Sequence, residues 1–265
     1  MRRTVLPGTD ITVSRLALGT GSLHRLARSA NRQRVLAAAA DLGISHFDTS
    51  PYYGYGLAEW ELGAFAQGQR RAITIATKCG LYPFGPVIRS TSAMWLRKIG
   101  GKVWPALSLP QIDWSVTRAE QSLTDSLKRL RTDYVDFLFL HEPDYRQLHA
   151  DELQRWLDAE RARGRVRHTG LAGLADVLHT WPQLHPLAGV IQTRDSLDGR
   201  EADFVTRQGG KLQFTYGYLS SNARRAAPLP ARSVMQAAAE RNAEGAIVMS
   251  TIRPDRLAEL TEVFA

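Results

Sequence analysis

The 265-residue chain has a single cysteine, Cys79, so it forms no internal disulfide and suits a reducing compartment. Long apolar runs are missing too: Val35–Ala40 is among the longest, and a membrane helix needs about 20 such residues. No membrane span is expected. Met-Arg-Arg-Thr-Val-Leu leads to Pro7-Gly8 without a long apolar stretch, so no secretory signal is expected and the cytoplasm is the default location. There is no dense basic block. The net charge of +8 comes from scattered arginines, which we read as a solubility feature and not as a nucleic-acid footprint. The histidines lack an H-x-x-x-H spacing with a nearby carboxylate, so no metal site is expected. A third glycine is also absent after Gly19-Thr20-Gly21, where Ser22, Leu23 and His24 follow. That speaks against a dinucleotide-binding doubly wound sheet, the second fold considered.

What the chain does have is alternation. Short apolar strands are expected at Arg15–Gly19, Ser45–Asp48, Ile73–Thr77, Tyr134–Leu140, His168–Ala172, Gly189–Thr193, Lys211–Thr215 and Ala246–Ser250. Between them fall helical spacings. Val35, Leu36, Ala39 and Ala40 share one face of 31–42, and Ala119, Leu123, Leu127 and Leu130 share one face of 118–130. Further helices are expected at 58–67, 151–163, 174–181, 200–208, 231–242 and 254–264, with Gly43 and Gly164 as stops. Eight strand–helix repeats predict an α/β fold, a (β/α)8 TIM barrel forming a single domain over 1–265. A hairpin turning at Pro7-Gly8 should precede it.

One segment interrupts the rhythm. Residues 81–115, after the third strand, carry Trp95, Trp104 and Trp114, four prolines and the bases Arg89, Arg97, Lys98 and Lys102. A connection this long is uncommon unless it is functional or disordered. We expect it to form a substrate wall or lid, its bases favouring an anionic or sugar-like substrate.

Barrel active sites lie at the C-terminal strand ends. The second, third and fourth strands end in Asp48, Lys78 and His141. Buried charges need partners, and pairing Asp48 with Lys78 supplies them. Tyr53 follows in the turn-rich loop Asp48-Thr-Ser-Pro-Tyr-Tyr-Gly-Tyr-Gly. A phenol is a weak acid at neutral pH, and a neighbouring lysine should pull its pKa down. His141 would then donate to a substrate carbonyl, giving a proton-transfer site. Tyr52, Tyr55 and Cys79 read as packing.

These residues resemble the aldo-keto reductase superfamily: Asp48-Thr-Ser-Pro-Tyr-Tyr-Gly, Glu59-Trp-Glu-Leu-Gly63, Ala76-Thr-Lys-Cys-Gly80, Ser122–Leu130 running into Asp133-Tyr-Val-Asp136, and Leu138-Phe-Leu-His141, in that order. The resemblance implies an NADPH-dependent oxidoreductase acting on an aldehyde, ketone, alcohol or sugar, with NADH also possible and hydride supplied by the nicotinamide. By that resemblance Tyr53 is the general acid, Lys78 tunes it, Asp48 pairs with Lys78 and His141 orients the carbonyl. Cofactor contacts would come from Gly19, Thr20, Gly21 and Asp48, with Gln192 on the nicotinamide amide and Tyr216 on the ring. Ser250, Thr251, Arg253, Arg256 and Glu259 would hold the adenosine end, Arg256 on the 2′-phosphate side. The chain departs from the pattern at Ala172-Gly173, where a polar Ser-Asn pair is common, at Ser250, where a lysine is common, and at Leu260 in place of Asn. Many family members also carry a C-terminal tail beyond the position of Ala265 that walls the pocket. A Lys78 Schiff-base lyase and a cofactor-binding regulatory subunit remain alternatives. Substrate, reaction direction and oligomeric state stay open.

Overall fold

The computed structural model describes residues 1–85, 109–181 and 185–265. The first strands, β1 (Arg3–Val5) and β2 (Thr12–Ser14), form the expected antiparallel hairpin around Pro7-Gly8. The barrel strands are β3 (Leu16–Gly19), β4 (His46–Asp48), β5 (Thr74–Cys79), β8 (Val135–His141), β9 (Val166–Gly173), β10 (Val190–Arg194), β11 (Phe214–Tyr216) and β12 (Ala246–Met249). They close in the order β10-β11-β12-β3-β4-β5-β8-β9, each pair parallel. All eight expected strands are present, shifted at their ends by a few residues.

Two apolar layers explain the closure. Ala17, Ala76, Phe137, Phe139, Phe214 and Ala246 point inward, and Leu6, Ile11 and Val13 of the hairpin join them. Gln213 Nε2 donates to the Pro7 carbonyl at 2.7 Å, tying hairpin to barrel at the N-terminal end of the strands. The alternate residues Leu18, Phe47, Ile75, Leu138 and Leu140 belong to the outer core with the helices. This two-residue period is what a barrel strand, covered on both faces, requires.

The helices follow the expected periodicity where they are long: Ser29–Asp41, Val116–Leu130, Ala150–Ala162 and Ala231–Arg241. Gly43 and Gly164 take positive φ of 84° and 73°, the left-handed stops that glycine favours. The expected helices at 174–181 and 200–208 shrink to Ala175–Leu178 and Asp203–Arg207. A short helix at Tyr218–Asn222 was not anticipated; its five residues are too few to show a hydrophobic period. The ends of the long insertion are pinned by β6 (Leu81–Tyr82) pairing antiparallel with β7 (Gln111–Ile112). Trp114 packs against Gly80, where φ is 102° and a Cβ would collide with its ring. The expected lid, with Trp95, Trp104 and the bases Arg89 to Lys102, lies outside the described residues. Among the described residues no helix is long and apolar enough to cross a membrane, and no cluster of potential metal ligands occurs.

Candidate active site

Strand register delivers the site. Gly19 pairs with Asp48, Asp48 with Ala76, Lys78 with Phe139 and His141 with Ala172. Asp48, Lys78 and His141 therefore emerge at one end of the barrel. Lys78 Nζ donates to Asp48 Oδ1 at 2.6 Å and to the Thr49 carbonyl at 2.9 Å. Both side chains are buried, and each charge is stabilised by the other, as the sequence argument required. The loop after Asp48 turns through Gly54, Tyr55 and Gly56, all at positive φ, into the helix Leu57–Ala66. This turn brings Tyr53 back over the strand ends. Lys78 Nζ lies 4.9 Å from the Tyr53 ring centroid. The His141 ring meets Tyr53 edge-on at 6.1 Å, and its Nδ1 is 3.5 Å from Ser50 Oγ.

Electrostatics correct one expectation. Lysine was expected to lower the Tyr53 pKa. Instead burial, with the Asp48 and Glu142 carboxylates, holds the phenol well above its usual range. Desolvation is the largest cause, and the two carboxylates act in the same direction. Tyr53 thus keeps its proton at neutral pH. Burial and the Lys78 charge push His141 down to about 3, so the imidazole is neutral. Burial also draws the Lys78 ammonium below its usual range, against the opposing pull of Asp48. Cys79, buried beside it, has its thiol pushed up to about 12 by burial, which fits packing and not reactivity.

The same cavity, about 250 Å³, is also lined by Gln192, Tyr216 and Ser250. Gln192 Nε2 donates to Asp48 Oδ1 at 3.0 Å, while its Oε1 is buried without a partner among the described residues. Ser22 Oγ and Thr49 Oγ1 are likewise without a partner among the described residues. Thr20 Oγ1 donates to the Asp48 carbonyl at 3.0 Å, and Gly19 and Gly21 lie against Ser250 and Tyr53. Of the expected adenosine-end residues, Thr251, Arg253 and Arg256 stand at the start of the helix Pro254–Thr261 and Glu259 in its second turn, all off the cavity wall. Arg253 pairs with Asp255. Arg256 is half-buried and has no ion-pair partner among the described residues. The sequence reading missed Glu142 and residues 217–220, at the start of the short helix Tyr218–Asn222, which also line the wall. Glu142 carried a usable signal, being a charged residue directly after the strand-end His141. Residues 217–220 carried none, since Gly217-Tyr-Leu-Ser220 reads as an ordinary loop.

Comparison with known proteins agrees with this geometry. The family model for the Aldo/keto reductase family matches residues 15–179. L-galactose dehydrogenase of Arabidopsis thaliana is 30% identical over 177 residues, covering 64% of this chain and 47% of that protein. D-threo-aldose 1-dehydrogenase of a Pseudomonas species is 31% identical over 166 residues, covering 60% and 48%. The chain thus spans about half the length of these curated relatives. In fold, the holo form of an aldo-keto reductase from Bacillus halodurans superimposes with a TM-score of 0.77 at 20% identity, over 99% of this chain and 90% of that one. With the matched segment running from the first barrel strand to past the fifth, through Asp48, Tyr53, Lys78 and His141, the chain belongs to the aldo/keto reductase family.

Proposed function

We propose that this chain is an NADPH-dependent carbonyl reductase, or the corresponding alcohol or sugar dehydrogenase, working as one barrel over residues 1–265 in the cytoplasm. The observation that carries this reading is a partly buried, protonated Tyr53 in one cavity with a neutral His141 and the Lys78–Asp48 pair. Tyr53 holds a proton at the phenol oxygen and donates it to a carbonyl oxygen. Its own raised pKa drives it to re-protonate after each turnover. His141, neutral, has one ring N–H to orient that oxygen. Lys78 keeps a positive charge close to where oxygen gains negative charge, and Asp48 and Thr49 fix its position. A nicotinamide cofactor, when bound, supplies or accepts the hydride. The chain fits such a group: on the cavity wall Gln192 Oε1 is a buried acceptor without a partner among the described residues, and Tyr216 offers a ring. Arg256 is the residue we assign to a 2′-phosphate, and it supports NADPH over NADH. Ser250 brings no charge to that end.

The sugar-acting relatives favour hydroxylated aldehydes and sugars as substrates, and a small molecule is the only partner the site calls for. A Schiff-base role for Lys78 is disfavoured because Nζ is occupied by Asp48 and Thr49. The test is dinucleotide oxidation or reduction across a panel of aldehydes, ketones, sugars and their alcohols. Turnover supports the reading. Tight NADPH binding with no turnover on the panel would overturn it in favour of a regulatory subunit.

A further inference from the structure

Glu142 is the cavity residue for which the proton-transfer chemistry has no use. It follows His141 at the end of β8 and takes φ of 55°. A non-glycine residue in the left-handed region persists only where its surroundings hold it, and such residues gather at functional sites. Two contacts hold this one. Its N–H donates to the Ala172 carbonyl at 2.7 Å, and its Oε2 accepts from the Leu174 N–H at 3.0 Å. The carboxylate thereby fills the space beside Gly173, where a Cβ would lie 2.8 Å from Oε2. The missing side chain at 173 is what makes room for it. Oε1 has no hydrogen-bond partner among the described residues.

The charges around it are accounted for. Asp48 and Lys78 neutralise each other at 2.6 Å. His141 is neutral, and Tyr53 and Tyr216 keep their protons, each held up in part by Glu142 itself. Arg194, which acts on Tyr216, is off the cavity wall and donates to Ser221 Oγ. Asp176, on the following helix, adds a second negative charge but is exposed. Among the described residues, Glu142 is therefore an unpaired negative charge on the wall of a catalytic cavity.

We propose that Glu142 is a specificity-determining residue. Its carboxylate accepts hydrogen bonds from substrate hydroxyls and repels substrates that carry a carboxylate. The site therefore takes neutral hydroxy-aldehydes and hydroxy-ketones, with their polyol counterparts, in preference to keto acids. This rests on the reductase reading above. Two like charges a few ångströms apart at the edge of a protein repel strongly enough to shift a rate by about ten- to a hundredfold.

Glycolaldehyde and glyoxylate make a matched pair, since they differ only in a hydroxymethyl against a carboxylate beside the carbonyl. The experiment measures kcat/KM for both, with NADPH, in wild type and in Glu142→Gln, which keeps an acceptor for the Leu174 N–H. Wild type should prefer glycolaldehyde, and the variant should narrow that preference about ten- to a hundredfold. A second arm needs no variant. Burial holds the Glu142 pKa above its usual range, so lowering the pH through that range neutralises it and should narrow the wild-type preference. An unchanged preference in the variant, or a wild-type preference that ignores pH, would overturn the assignment while leaving the reductase intact. So would an effect confined to dinucleotide affinity. Turnover of neither aldehyde, nor of any other carbonyl, would overturn the reductase reading itself and this assignment with it.

Discussion

Strand β8 carries a titratable side chain near each end, and the two are held in opposite ways. Asp136, near the start, is saturated: Oδ2 accepts from Arg70 at 2.8 Å and from the Ile75 N–H at 2.9 Å, and Oδ1 accepts from Arg167 at 3.0 Å. His141, at the finish, has one long hydrogen-bond contact, to Ser50, in a cavity where Gln192 Oε1 has no partner among the described residues. Glu59 follows the first pattern, accepting from Thr77 at 2.6 Å and Arg129 at 2.6 Å. Buried polar groups are normally satisfied, and exceptions need a reason. Asp136 and Glu59 are satisfied by the chain's own groups, which makes them scaffold. Around His141 the chain leaves capacity open, which is the property of a binding site.

The sharpest way to test that division is to remove the proton from the open end. Tyr53→Phe keeps the ring and should lower carbonyl reduction by about 10²–10⁴-fold, with dinucleotide binding and thermal midpoint close to wild type. Steady-state kinetics beside a melting curve reads both. Near-normal turnover would remove Tyr53 from the chemistry.

The complementary change is Asp136→Ala at the saturated end. It strands the largely buried guanidinium of Arg70, and breaking a buried pair from one side costs about 3–5 kcal/mol. Urea unfolding should show that loss, while kcat per folded molecule holds. A large fall in kcat with unchanged stability would erase the distinction between the two ends.

The comparison also explains what could be read from sequence. The eight strands were legible because residues such as Leu138-Phe139-Leu140 are buried on both faces and so stand out as apolar runs. Asp48, Lys78 and His141, each of which alone reads more readily as a structural pair or cap, were legible because three ionisable strand ends coincide with Tyr53 in the following loop. Glu142 obeyed the same rule and was passed over, since its importance depends on Gly173 lying across the strand pair, which one-dimensional reading does not pair. The raised pKa of Tyr53 was illegible for a related reason: a lysine nearby predicts one sign, and only the fold shows how far the phenol is desolvated and that Asp48 and Glu142 lie close to it. The 86–108 stretch was read by composition alone.

The proposed adenosine end sits between the two patterns. Arg253 is satisfied by Asp255, whereas Arg256 is not paired. A charge-assisted contact is worth about 1.5–3 kcal/mol, so Arg256→Ala should weaken NADPH binding by roughly ten- to a hundredfold and leave NADH nearly unchanged. Fluorescence titration with both dinucleotides measures it. Equal losses for the two would show that Arg256 does not read the 2′-phosphate.

The smallest expected effect concerns His46, a buried titratable group at the packed end of the barrel whose Nε2 has no hydrogen-bond partner among the described residues. It starts β4, stacks on Phe214 at 4.6 Å and places Nδ1 2.8 Å from Thr74 Oγ1. Burial, aided by the Lys78 charge, lowers its pKa from 6.5 to about 3. Since the folded value lies below the unfolded one, the unfolded chain binds the extra proton between them. Stability is then fully present above about pH 6.5 and is lost as the pH falls, by about 1.4 kcal/mol per pH unit for one such group. His141 adds the same sign from the other end of the barrel. In His46→Gln one of the two contributions disappears. Between about pH 7 and pH 5 the variant should therefore lose about 2 kcal/mol less than wild type in urea-unfolding free energy. Parallel pH profiles for the two proteins would mean that the ring is not kept neutral by burial, and that the packed end of the barrel admits a charge that its aromatic lining argues against.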